Sequence, residues 1–219
     1  LENLFLPIHN SKDPEEIEQL LADESIRNDF YHLLCSFGKD LTVVLNSEKA
    51  YQNMPGGERT RYEDAFGFYS KIRRSVKIRY SDGIDHKEYE KQMQNLLDTH
   101  LSVAGLKQIT EPVDILNRSE LKKELEELGT LSAKADAIRS RMAKNIHEKY
   151  EENPAYYESF SKRIKETLRQ YQEKVITDAE YHSRICAIME DYTAGVTDIK
   201  YPEKSKDNLH AQALYGVTG

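Results

Sequence analysis

The sequence predicts an all-α protein, an irregular multi-helix bundle of about eight helices, some near 20 residues, with a loosely structured C-terminal tail. Three observations carry this. Gly (10) and Pro (6) are sparse in 219 residues, too few for the turns of a many-stranded sheet. Charged residues make up 32% of the chain, as expected of long solvated helices. Apolar residues recur at intervals of three and four, the period of a helix rather than the period of two of a strand.

Taken in order, Asp13-Pro14-Glu15-Glu16 places a cap, a proline at the first helical position and an acid at the third. Ile26, Phe30, Leu33, Leu34, Phe37, Leu41 and Val44 then trace one apolar stripe. Asn53-Met54-Pro55-Gly56-Gly57 reads as a flexible connection. The next stripe is Tyr62, Phe66, Tyr69, Ile72, Val76 and Tyr80. Asp85-His86-Lys87-Glu88 repeats the cap-to-acid spacing before Tyr89, Met93, Leu96, Leu97, Leu101 and Ala104.

Gly105 to Asn117, with Pro112, reads as the joint between two helical halves. After it come Leu121, Leu125 and Leu128, then Ala135, Ile138, Met142, Ile146 and Tyr150, with Ser119 and Ser132 as the expected caps. Asn153-Pro154 starts the stripe Phe160, Ile164, Leu168, Tyr171 and Val175. The capping box Thr177-Asp178-Ala179-Glu180 starts Tyr181, Ile185, Ile188 and Tyr192. The expected organisation is an arm over 1–22, helical halves over 23–110 and 111–198 within one compact domain, and a loose tail over 199–219.

Composition excludes several classes. No apolar run is long enough to span a membrane, so no membrane partner is expected. The first residues lack the pattern of a secretory signal. The chain does not begin with Met, and is expected to be a piece of something longer. Cys35 and Cys186 make neither a disulfide framework nor a zinc cluster, which fits a reducing cytoplasm. The formal net charge of −7 disfavours the whole surface as a DNA-binding face.

Motifs for chemistry are sparse. Neither G-x-x-x-x-G-K-[ST] nor G-x-G-x-x-G occurs, so a nucleotide is not expected by either route. Paired Glu-x-x-His, the mark of a di-iron bundle, is absent. Its nearest relative is Asp29-Phe30-Tyr31-His32, read as a solvated acid beside a half-buried imidazole. Asp114 with Glu120 and Lys122 imitates a nuclease pattern, but Glu120 and Lys122 would lie about 200° apart around a helix. The two cysteines sit on apolar faces and read as small core residues. No catalytic residue, cofactor-binding residue or metal ligand is assigned. Of the adjacent pair Tyr156-Tyr157, one is expected at a surface, since both cannot face one way.

One charged feature stands out. Lys71, Arg73, Arg74, Lys77 and Arg79 fall in nine residues, with no acid from Ala65 to Ser81. Tyr69, Ile72, Val76 and Tyr80 share one face of that helix, and Lys71, Arg73, Arg74 and Lys77 spread over the other. Such a surface suits nucleic-acid phosphate or an acidic partner protein. It equally suits a solvated face neutralised by acidic neighbours. Ile78 lies on the charged face, which favours a covered surface.

Five stretches together resemble a known family: Tyr62 to Tyr80; Leu96-Leu97-Asp98-Thr99-His100; Lys107 to Ile115; Ala133-Lys134-Ala135-Asp136-Ala137-Ile138; and Glu152 to Ser161. They look like the C-terminal helical region of the restriction (R) subunit of type I restriction-modification enzymes, over roughly residues 23 to 195. The resemblance implies a bacterial or archaeal cytoplasmic parent subunit with a nuclease domain and two motor domains ahead of this region. That parent would use ATP and Mg²⁺ to translocate and cut DNA. The helical region itself would brace the motor and help dock it onto the methyltransferase core of modification and specificity subunits. No catalytic motif of that family lies in these residues, so no catalytic residue carries over. The alternative expectation is a DNA-contacting module that uses Lys71 to Arg79.

Overall fold

A computed structural model describes residues 1–47, 54–80 and 113–197. Among them the chain is all-helical, with seven α-helices, two 3-10 turns and no strand. The stripe Tyr89 to Ala104, the cap at Asp85 and the tail 199–219 lie outside the described residues. The chain divides into two units. One contains Leu1–Lys77, and the other contains Ile78–Ser81 and the residues from Val113 onward.

The first unit opens with a 3-10 turn, Glu2–Phe5, followed by α1 (Pro14–Leu20), α2 (Glu24–Asn46) and α3 (Gly56–Tyr80) up to Lys77. Asp13 caps α1 by accepting from the Glu15 N–H, as the sequence predicts. The α2 cap, Asp23, is not anticipated; its carboxylate accepts from the Ser25 and Ile26 amides. Between α1 and α2 the Arg27 guanidinium donates to the Leu21 and Ala22 carbonyls, satisfying acceptors that a helix end leaves open.

The core of this unit is aromatic. Phe5 stacks on Tyr69 at 5.6 Å and meets Phe30 edge-on at 5.9 Å, while Phe37 meets Phe66 at 5.7 Å. Two stripe residues depart from expectation: Leu33 and Tyr62 are exposed. Gly56 and Gly57 also depart, because they begin α3 rather than continue a flexible connection.

The second unit takes the last turn of α3, Ile78 to Tyr80, and adds α4 (Arg118–Glu126), α5 (Leu131–Lys149), a 3-10 turn at Tyr150–Glu152, α6 (Pro154–Gln172) and α7 (Asp178–Ala194). Here α5, α6 and α7 pack pairwise. Their stripes supply the core: Ile138, Met142 and Ile146 from α5, Phe160 and Ile164 from α6, and Tyr181, Ile185, Ile188 and Tyr192 from α7. A smaller apolar cluster joins Ile78 to Leu128, Ala133 and Ala137. Tyr157 is buried and Tyr156 half-buried against Phe160 and Tyr192, so neither of the pair is exposed, contrary to expectation.

The caps of α4 and α5 sit two residues earlier than expected. Asn117, not Ser119, accepts from the Glu120 N–H, and Thr130, not Ser132, accepts from the Ala133 N–H. In each case the upstream residue also has a short polar side chain; Glu120 at the reciprocal position marks Asn117, whereas only the chain path shows that Thr130 turns out of the helix. Asn153 and the Thr177–Glu180 capping box form as read. Val175, counted on the α6 stripe, is 66% exposed because α6 has already ended. Lys174 adopts φ 57° there, with the Lys174 N–H on the Tyr171 carbonyl and the Val175 N–H on the Gln170 carbonyl.

Candidate interaction surface and buried ionic site

The basic run of α3 does not form one surface. Lys71 is exposed, and Arg74 and Lys77 are half-buried. Arg73, expected on the solvated face, is only 4% exposed, with its guanidinium 5.6 Å over the Tyr31 ring. Arg79 is 1% exposed and belongs to the second unit. Ile78 is buried with it, as its place on the charged face suggested. The correction has a physical cause. A helix run of basic residues covers more than half a turn, so a helix packed on two sides must bury some of them. Arg accepts that burial when a carboxylate or a ring meets it.

Asp136, on α5, is the carboxylate that meets Arg79. Its Oδ2 accepts from Arg79 Nε at 3.1 Å and from Nη2 at 3.0 Å. Its Oδ1 accepts from the Tyr181 hydroxyl at 2.9 Å and from Arg139 Nε at 3.4 Å. Its neighbours Ala135 and Ala137 are fully buried. Burial raises the Tyr181 pKa, and the Asp136 charge raises it further. Burial works against the charge of Arg139, but Asp136 and the Tyr181 hydroxyl outweigh it and the Arg139 pKa is raised. Tyr181 also stacks on Tyr171, with centroids 4.3 Å apart and planes 5° from parallel.

Arg141, one turn along α5, gathers a second set of acceptors. Its Nη2 donates to Glu124 Oε2 at 2.5 Å and its Nε to the Val113 carbonyl at 3.1 Å. Its Nη1 donates to the Ile78 and Ala137 carbonyls, each at 3.0 Å. Burial lowers the Arg141 pKa, and Glu124 only partly offsets it. Asn145, further along α5, accepts from the Tyr192 hydroxyl at 2.5 Å. None of Asp136, Arg141 or Asn145 is singled out by sequence reasoning. No sequence signal separates them from other polar residues of α5 such as Lys134, Ser140 and Lys144.

The chemistry-bearing candidates stay apart. Asp29 and His32 are both exposed on α2, so the imidazole is not half-buried as read. Asp114 Oδ1 accepts from the Leu116 N–H, and Glu120 Oε2 accepts from the Asn117 side-chain amide, local roles that use both carboxylates. Among the described residues, no group of three or more His, Cys, Asp or Glu side chains could hold a metal ion.

Cys35 and Cys186 are free and half-buried. Cys186 Sγ lies 3.7 Å from His182 Nε2, one turn apart on α7. Burial, then Glu190, pushes the thiol up, while burial, then Lys134, pushes the imidazole down. Both shifts run opposite to those of a thiolate–imidazolium pair.

No described helix is long and apolar enough to cross a membrane. A family model described as type I restriction enzyme HindI endonuclease subunit-like, C-terminal, matches residues 14–198. No curated protein and no solved structure matches the chain.

Proposed function

The chain belongs to the type I restriction enzyme HindI endonuclease subunit-like family, as its C-terminal domain, and from that premise we propose that it is the assembly region of the endonuclease subunit. On this reading it braces the ATP-dependent DNA translocase of its own chain. It also helps dock that motor onto the methyltransferase core of modification and specificity subunits, in the cytoplasm. ATP and Mg²⁺ belong to the nuclease and motor domains of the parent.

The observation that supports the reading is the inward direction of two ion pairs. Arg79, Asp136, Arg141 and Glu124 bond to one another and to backbone carbonyls inside the second unit. Charges arranged in this way fix the relative positions of α4, α5 and the last turn of α3, and a support needs such rigidity.

Docking is tested by mixing the chain with its own methyltransferase core and following mass by size-exclusion light scattering at low and moderate salt. A joint peak at both salts is expected. Two separate peaks would sink autonomous docking and leave the chain as a brace for the motor alone. A second reading rests on exposed Lys71 with half-exposed Arg74 and Lys77, which run along one side of α3. It predicts salt-dependent binding to duplex DNA that weakens when all three are changed to Glu. Unchanged binding in that variant would remove this reading.

A further inference from the structure

Arg141 stands at an unusual place in the chain. Ile78 to Tyr80 and Val113 belong to the same unit although they are far apart in sequence. A carbonyl in the last turn of α3 and the Val113 carbonyl accept from the same guanidinium. Ile78 offers its carbonyl at the end of α3, and Arg141 Nη1 takes it at 3.0 Å. Val113 offers its carbonyl ahead of α4, and Arg141 Nε takes it at 3.1 Å.

A helix leaves its last carbonyls without intrahelical partners, and the negative end of its dipole favours a cation there. Ile78 is two residues from the end of α3, so its carbonyl is one of these open acceptors. The planar fork of Arg presents donors in fixed directions, and three of its nitrogens act here at once: Nε on Val113, Nη1 on Ile78 and Ala137, and Nη2 on Glu124. Glu124 holds the guanidinium in the one orientation that serves both carbonyls. Bringing the ends of a long chain segment together costs conformational entropy, and these charge-assisted bonds offset part of it. Nearby, Ile78 fills the apolar cluster with Leu128 and Ala137, and Arg79 meets Asp136, so the α3 turn is fixed on both sides of the Arg141 contact.

We propose that Arg141 is a positioning residue, a clasp that holds two segments distant in sequence, the last turn of α3 and the chain at Val113, together as one fixed base. A general brace of the core would support all of the second unit equally. A clasp supports two segments distant in sequence and leaves α6 and α7 alone.

Amide hydrogen exchange on the full chain separates these. Arg141→Lys keeps the charge, but a single ammonium group cannot serve Val113, Ile78 and Glu124 together. The expected result is exchange faster by about tenfold in the last turn of α3 and in residues 114–117 alike, with α6 and α7 unchanged. Faster exchange in only one of the two segments, or in neither, overturns the clasp. So does an equal increase throughout α5, α6 and α7, which would make Arg141 a general brace. Should Arg141→Lys fail to fold, Glu124→Gln decides by the same readout. It removes the charge that orients the guanidinium, and the same paired acceleration, smaller in size, is expected.

Discussion

Asp136 accepts from Arg79 twice, from Tyr181 and from Arg139, and Arg79 is almost wholly removed from water. A buried pair of this kind contributes little net stability against an apolar replacement, but removing one member strands the other. Asp136→Ala is therefore expected to destabilise the chain by about 3–5 kcal/mol in urea unfolding. Arg79→Met combined with Asp136→Leu is expected to lie closer to wild type than either single change. A double variant as unstable as the sum of the singles would mean that the pair is not coupled.

The tyrosines give a pH dependence. Burial pushes Tyr171 up to about 12, helped by its hydrogen bond to Asp178, and burial also raises Tyr181 and Tyr192. A folded-state pKa above the unfolded value of 10.0 stabilises the fold fully below that pH, and the contribution disappears as pH rises toward the folded value. Stability is thus expected to fall from about pH 10 upward. The absorbance change at 295 nm of these buried rings should then coincide with loss of helix rather than precede it. Full tyrosine ionisation while the helices remain would contradict this.

At the scale of an element, α6 and α7 end with the same backbone motif and different residues. Gly195 closes α7 at φ 70°, with the Val196 N–H on the Asp191 carbonyl. Lys174 closes α6 at φ 57°, where an L-residue with a side chain is strained. Lys174→Gly is expected to stabilise the chain by about 1 kcal/mol, and Gly195→Ala to destabilise it by about 1–2 kcal/mol, both read from thermal unfolding. A destabilised Lys174→Gly would show that the lysine side chain gains something the strain does not reveal.

Element starts were legible where a cap is followed by Pro or by an acid at the reciprocal position, as at Asp13, Asn153 and Thr177. Asn117 carries the same mark in Glu120, whereas at Thr130 two candidate caps compete within three residues and the local sequence favours neither. Lys174 gave no signal, because the usual mark of a left-handed stop is glycine.

At the scale of the whole molecule, the second unit is completed by Ile78 to Tyr80, which arrive from far upstream in sequence. A chain starting at Val113 would lose Arg79, the Ile78 carbonyl and the Ile78 side chain together. It is expected to unfold at a markedly lower temperature than the same unit within the full chain, with Asp136 left buried and without Arg79. Equal melting temperatures would mean that α5, α6 and α7 suffice by themselves.

The helical class, the identity of most core residues and the membership of the family follow from the sequence, because helix period, caps and ordered motifs are local or linear properties. The use of the charges was decided by tertiary structure. Lys71 and Arg79 belong to the same basic run, yet one is exposed and the other is sealed against Asp136, 57 positions away in sequence. Nothing local distinguishes them, since a charge is buried only where a distant partner arrives to meet it, and that partner is placed by packing.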